Sequence, residues 1–122
     1  RIIANSFGGW CPYKENKDEF LQIDMNEVVN ITGISTQGLG LVDEWTISYI
    51  LHYKSIEDYS WHEYKENEHL RIFKANYDQN TTSQHWLPKP LVTKTIRIFP
   101  QDYHGKACLR VELYGCKYGV FE

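Results

Sequence analysis

The 122-residue sequence contains no apolar run near the roughly 20 residues that a membrane-spanning helix needs. It also has no excess of basic residues, because 13 Lys and Arg stand against 16 Asp and Glu, for a formal net charge of −3. That balance gives no electrostatic case for nucleic acid or an anionic membrane surface as a partner. The chain opens at Arg1 with no initiator Met and no signal segment, so we expect a piece excised from a longer protein.

Signals for catalysis and metal binding are missing as well. The five histidines show no i,i+2 or i,i+4 spacing, which argues against a metal site. The glycines at 38 and 40 lack the third glycine of a phosphate-binding loop, and no Gly-x-Ser-x-Gly elbow occurs. We therefore predict a protein that is not an enzyme and that uses no metal and no cofactor.

Alternation of apolar and polar residues is the strongest pattern present. In the clearest stretch the alternate residues from Trp45 to Tyr53 are predicted to share one inward face, and a short polar turn is expected after Met25. Several short strands separated by turn residues indicate a β-sandwich or barrel, here one all-β domain over residues 1–122. The predicted strands are 19–25, 31–36, 45–54, 60–64, 71–73, 92–99 and 108–114.

The three cysteines limit the disulfides that can form. Cys108 and Cys116 lie on one predicted strand, about 25 Å apart at about 3.3 Å per residue. A disulfide needs Cα atoms within about 7 Å, so these two cannot bridge each other. Cys11 can pair with either one, and spacing alone leaves both pairings open.

Two glycosylation sequons are present, at Asn30 (Asn-Ile-Thr) and Asn80 (Asn-Thr-Thr). We expect Asn80 to lie in an exposed connection and to accept a glycan, and we place Asn30 at the start of a strand. Together with the cysteines, the sequons indicate an extracellular protein, secreted or part of an ectodomain.

The connection 36–45 is unusually apolar, because Leu39, Leu41 and Val42 occupy positions where polar turn residues are the default. One interpretation is that these side chains fold back as a cap on the core. The other is that they contact a partner or a lipid surface. We predict that Leu41 or Val42 is exposed while Trp45 faces the core.

Seven segments in order resemble the discoidin domain, also called the coagulation-factor type C domain. They are GGWCP, EFLQIDM, ITGISTQG, DEWTISYILHY, IFKANYD, LPKPLVTKTIRIFP and ACLRVELYGC. The resemblance implies an eight-stranded jelly-roll β-sandwich, or distorted barrel, with ligand-binding loops projecting from one end. It implies a binding module, here lacking the N-terminal strand and the first loop. It also implies that Cys11 pairs with Cys108, and that the partner of Cys116 lies upstream of Arg1.

The resemblance implies three groups of ligands: collagen or other proteins, anionic phospholipid, and glycans. Glu44 matches a collagen-contacting Glu of the collagen receptors, but Leu39 stands where they have Arg and Phe7 where they have an acidic residue. Asp43 and Glu44 would repel anionic headgroups. These comparisons favour an adhesion or recognition module that binds an extracellular protein or matrix ligand.

The ligand is expected at loops around 5–13, 37–45 and 54–60. The alternatives are phospholipid binding by apolar loop residues, lectin-like glycan binding by stacking on aromatic rings, and a structural spacer with no ligand in a larger receptor. The candidate ligand-binding residues are Trp10, Tyr13, Leu39, Leu41, Val42, Asp43, Glu44 and Tyr59.

Overall fold

A computed structural model of the chain describes residues 2–4, 9–14, 16–40 and 42–119, with the backbone alone for 2–4. Nine strands and no helix occur in these ranges. The resemblance implied eight strands, but the stretch from 61 to 74 is divided into four short ones. The strands are β1 (Ile2–Ala4), β2 (Leu21–Gln37), β3 (Trp45–Lys54), β4 (Trp61–Glu63), β5 (Lys65–Glu66), β6 (His69–Leu70), β7 (Phe73–Lys74), β8 (Ser83–His104) and β9 (Arg110–Lys117).

The main sheet has the order β1-β9-β2-β8-β3-β4, and β7 pairs with β3. All pairings are antiparallel, and β5 and β6 form a separate hairpin. The 22-residue β8 pairs with β2 from Ser83 to Ile98 and with β3 from Ile96 to His104, so it bends around the core from one layer to the other. The prediction of an all-β, jelly-roll β-sandwich is confirmed.

The strand β2 continues through the stretch where the sequence predicted a turn. Asn26 has φ 65°, its backbone N–H donates to Asp24 Oδ1 at 2.9 Å, and the register with β8 shifts between Asp24 and Val29. Asn is one of the few residues that tolerates a positive φ, so the polar stretch forms a bulge inside one strand. The prediction of two strands joined by a turn was wrong, and Asn30 lies mid-strand rather than at a strand start.

The alternation of inward and outward side chains along β3 shifts at Ser48, so the predicted set of inward-facing residues was wrong. The register with β8 shifts on both sides of Ser48. As a result Thr46 and Ser48 are buried, Ile47 is 42% exposed and Trp45 is only partly buried, while Tyr49 and Leu51 face the core. The two inward hydroxyls are satisfied, since Thr46 donates to Cys108 O and Ser48 to Asp102 Oδ2, both at 3.2 Å.

The core is filled by aliphatic and aromatic side chains from both layers. Tyr49 and Phe73 stack at its centre with ring centroids 4.9 Å apart. Each fully buried Leu or Ile contributes about 1.5–3 kcal/mol, so this set supplies most of the free energy that holds the layers together. Its fully buried members are Ile31, Ile34, Tyr49, Leu51, Phe73, Ile96, Ile98, Leu109, Val111 and Leu113.

A disulfide joins Cys11 to Cys108, with the Cα atoms 4.2 Å apart, as the resemblance implied. The neighbouring residues Trp10 and Leu109 pair through two backbone hydrogen bonds of 2.9 Å. The segment before the first long strand is therefore fixed beside the start of β9.

Candidate functional site

Several connections converge where β2 ends and β9 begins. Gln37, the last residue of β2, pairs with Arg110, the first of β9, while Thr36 pairs with Ser83 at the start of β8. We call the surface formed here the loop end; it comprises residues 9–11, 38–40, 42–44 and 104–110. Two of the three predicted ligand loops meet at it, although residues 5–8, including Phe7, lie outside the described residues.

Arg110 fixes the base of the connection between β2 and β3. Its Nε donates to Gly38 O at 2.6 Å, and its guanidinium lies close to Gly40. The guanidinium therefore replaces a backbone partner for the carbonyl at the first residue after β2. Nothing in the sequence indicated this role, because the partner lies 72 positions away in the chain.

Leu39 is half-buried and packs over the glycine that precedes Trp10. A Cβ atom on Gly9 would lie only 2.8 Å from Leu39 Cδ2, so the side chain sits directly on that backbone. Trp10 is also half-buried, against the edge of the core. Leu39 thus acts as a partial cap, which was one of the two interpretations of this loop.

The tip of the connection combines an exposed apolar side chain with two carboxylates. Val42 is 38% exposed, the side chain of Asp43 is 76% exposed, and Glu44 is half-buried. Leu41, the other residue predicted to be exposed, lies outside the described residues. Glu44 packs closely against Gly105, where only a glycine fits. The φ of Gly105 is +72°, and a Cβ there would lie 2.8 Å from Glu44 Cγ.

His104 attaches the tip to the sheet. Its ring stacks on Trp45 with centroids 4.2 Å apart, and its Nε2 lies 3.1 Å from Asp43 Oδ2. Trp45 therefore faces His104 and not the core, which corrects the prediction for this residue. The contact attaches one carboxylate oxygen of Asp43 to the sheet, while the side chain remains 76% exposed.

Tyr59 does not belong to the loop end. β3 runs from Trp45 to Lys54, about 30 Å at about 3.3 Å per residue, so the connections before and after it lie at opposite ends. The turn 55–60 lies beside residues 89–92 and Tyr118 instead. Tyr59 is exposed there with φ 57°, and the expectation of a third loop at the same end was wrong.

Tyr13 lies in the connection from Trp10 to β2 and is 92% exposed. Pro12, Asn16 and Lys17 of this connection pack near Pro100. Tyr13 is therefore presented on a flank of the domain, next to the loop end and far from Tyr59.

A Ser and an Asp of the turn 55–60 meet a His of β4, but not as a catalytic triad. Ser60 Oγ and Asp58 Oδ2 both contact the same nitrogen, His62 Nε2, at 3.0 and 3.2 Å. A relay needs the two ring nitrogens to serve different partners. Hydrogen bonds from the Ser60 N–H, its hydroxyl and His62 hold the pKa of Asp58 well below its usual range, so the carboxylate stabilises the turn.

The described ranges contain neither a metal-ligand cluster nor a membrane-spanning helix. No group of three or more His, Cys, Asp or Glu residues is close enough there to hold a metal ion. No helix in that part of the chain is long and apolar enough to cross a membrane.

Comparison with known proteins gives consistent matches. The family model described as F5/8 type C domain matches residues 2–113. Retinoschisin from Homo sapiens is 34% identical over 118 residues, which cover 95% of this chain and 53% of that protein. Lactadherin from Sus scrofa is 36% identical over 115 residues, covering 90% of this chain and 28% of that protein.

Among solved structures, recombinant discoidin II of Dictyostelium discoideum has a TM-score of 0.81 at 31% identity, over 93% of this chain and 44% of that one. The chain spans about half the length, or less, of these relatives.

Proposed function

This chain belongs to the F5/8 type C domain family, and from that premise we propose that it is a recognition module that binds an extracellular protein through the loop end. Members of the family bind proteins, phospholipids or glycans. The domain is extracellular, and its disulfide is of the kind that persists in oxidising compartments. The proposal includes that this chain is not an enzyme.

The observation that carries the proposal is the tip of the connection between β2 and β3. There an exposed Val42 lies next to the carboxylates of Asp43 and Glu44, in a connection whose base is bonded to Arg110 and whose Asp43 side chain contacts His104. An apolar contact flanked by acidic groups suits a protein surface that offers an apolar recess beside a Lys or Arg. Because the tip is held in place, binding costs little loop ordering.

Phospholipid binding is the second candidate, and the exposure of Val42 is what favours it. Among the described residues of the tip Val42 is the one exposed apolar side chain, and it inserts little apolar area; the adjacent carboxylates are repelled by anionic headgroups. For a glycan, the aromatic residues would have to converge. Trp10 is half-buried, Tyr13 lies on a flank and Tyr59 is at the opposite end, so these three do not form one stacking surface.

The test is adhesion of cells to the immobilised domain. The double variant Asp43→Lys/Glu44→Lys should lose adhesion by tenfold or more, about 1.4 kcal/mol, while keeping its melting temperature. The matched control, Glu57→Lys/Glu63→Lys, makes the same change in charge at the other end of β3 and should keep full adhesion. Equal adhesion of both double variants would remove the loop end from the proposal.

Vesicles separate the second candidate from the first. We expect no retention of the domain on vesicles of phosphatidylcholine with one-fifth phosphatidylserine. If the domain is retained on these vesicles and the Val42→Asp substitution reduces that retention, the ligand is a lipid surface and not a protein. A parent domain that supports no cell adhesion and is not retained on vesicles would be a structural spacer.

A further inference from the structure

Asn80 lies in a turn, residues 78–81, whose shape is fixed by the carboxylate of Asp78. Asp78 Oδ1 accepts from Asn80 N at 3.0 Å and from Thr81 N at 2.6 Å, while Oδ2 accepts from Thr81 Oγ1 at 2.7 Å. The bonds from the Thr81 hydroxyl and N–H, with that from Asn80 N–H, hold the pKa of Asp78 below its usual value. The carboxylate of Asp78 therefore stays ionised, and able to accept these bonds, over the neutral range.

Further contacts join this turn to the end of β2. Gln37 Nε2 donates to Asn80 O at 2.6 Å, and the buried Asn76 Nδ2 donates both to Thr36 O at 3.0 Å and to Thr81 O at 2.9 Å. Gly38 also approaches the turn closely, since a Cβ there would lie 2.8 Å from the Cα of Gln79. The turn is thus bonded directly to the base of the loop end.

The side chain of Asn80 points from this turn towards the loop end. Its Oδ1 lies 3.2 Å from the position that a Cβ on Gly40 would occupy. Asn80 and Thr82, the two recognition residues of the Asn-Thr-Thr sequon, are both exposed. A sugar attached to the side-chain amide therefore begins within a few ångströms of the 38–44 connection.

We propose that Asn80 carries an N-linked glycan that lies against the 38–44 connection and restricts access to the loop end. In the attachment step a bond forms between Asn80 Nδ2 and C1 of an oligosaccharide. The bond from C1 to the diphosphate of a lipid-linked donor breaks, and the amide gives up one proton. The regulatory part of this inference rests on the proposed function, whereas the attachment and position of the glycan do not.

The second sequon supplies a matched control. Asn30 lies mid-strand in β2 between Val92 and Cys116, seven residues before Gln37 and so about 23 Å away at about 3.3 Å per residue. It alternates with the buried Val29 and Ile31 and therefore faces outward. A glycan at Asn30 would leave the loop end open.

The experiment compares the domain secreted from a eukaryotic host with Asn80→Gln, Thr82→Ala and Asn30→Gln. Mass spectrometry of the parent should find a glycan on Asn80. Carbodiimide labelling with glycine ethyl ester then reports the access of a small probe to Asp43, with Glu57 as an internal reference at the other end of β3. We expect labelling of Asp43 to rise at least twofold in both variants that lack the Asn80 glycan and to stay unchanged in Asn30→Gln.

An unoccupied Asn80 in the secreted parent would overturn the inference. So would an occupied Asn80 whose removal leaves the labelling of Asp43 unchanged, because the glycan would then point away from the loop end. Adhesion of cells should increase severalfold in the two variants that lack the Asn80 glycan. Increased labelling without increased adhesion would support the position of the glycan and count against the proposed function.

Discussion

Trp45 and His104 stack across the pairing of β3 with β8, with 4.2 Å between ring centroids and 19° between ring planes. The same imidazole reaches Asp43 Oδ2 with its Nε2 at 3.1 Å. One side chain therefore links a strand pair of the sheet to the exposed tip of a loop. The conformational order of residues 42–44 should depend on both contacts of His104, the one with Trp45 and the one with Asp43. Two substitutions at His104 can separate their effects.

Substitution His104→Ala removes both contacts, and we expect the free energy of unfolding to fall by about 1 kcal/mol. Amide exchange at residues 42–44 should become faster. Substitution His104→Phe keeps a ring against Trp45 but cannot contact the carboxylate, so it should restore stability without restoring protection. Urea denaturation and hydrogen exchange measure the two effects, and equal protection of 42–44 in all three proteins would contradict this role.

Loss of the disulfide should be among the most destabilising changes available. Cys11 and Cys108 are 97 positions apart, and the chain-entropy model gives about 4–5 kcal/mol for a loop of this length. The double variant Cys11→Ala/Cys108→Ala should show this loss in urea denaturation. Peptide mapping of the parent without reduction should recover the Cys11–Cys108 pair, and recovery of Cys11 with Cys116 would contradict the pairing.

The fold was predictable because its signal is local. Alternation along 45–54, 92–99 and 108–114 identified strands that the structure contains, and the resemblance gave their arrangement. The errors lie at bulges. Ile47 fits the same alternation as Tyr49 and is the more hydrophobic of the two, yet the register shift around Ser48 turns it outward. A bulge changes no composition, so the pattern alone does not reveal it.

The site was only partly predictable because its contacts are not local. The tip at 42–44 was found from apolar and acidic residues in a connection. His104 and Arg110 were missed, since they join that connection from other strands. Tyr59 was wrongly included because the sequence of a loop does not show at which end of the sheet that loop lies.

Stability should depend on pH through His52 on β3. Burial lowers the pKa of His52 below its usual 6.5; the neighbouring carboxylate of Glu63 opposes this shift, and the guanidinium of Arg97 adds to it. Since the pKa is lower in the folded state, the unfolded chain binds more protons in the window below about pH 6.5. The contribution of His52 is therefore fully present above that pH and is lost as the pH falls through the window.

We expect the urea midpoint of the parent to fall more steeply between about pH 7.5 and pH 5 than that of His52→Gln, which has no titrating group at this position. The other histidines are common to both proteins and cancel in the comparison. Parallel pH profiles would show that His52 does not contribute.

Trp86 of β8 covers Gly33 of β2 on the outer face of the sheet, where the two residues are directly paired. A Cβ on Gly33 would lie 2.6 Å from Trp86 Cε3, and the next obstacle, His85 O, is at 3.1 Å. Substitution Gly33→Ala must therefore displace the indole, and overpacking of this kind costs about 1–3 kcal/mol. The ring is 62% exposed, so it can be removed without opening the core.

In a Trp86→Ala background the same Gly33→Ala change should cost little, because the indole that it displaces is gone and alanine loses less conformational entropy than glycine in a strand. Urea denaturation of the four proteins in this cycle should give a coupling energy of about 1–3 kcal/mol.

A parallel cycle with Tyr114→Ala is the control. Tyr114 flanks Gly33 from β9 with its ring 5.7 Å from that of Trp86, but it is not among the atoms that the new Cβ would meet. Additive energies with Trp86→Ala, or equal coupling in the two cycles, would show that the strain of Gly33→Ala comes from the backbone and not from the indole.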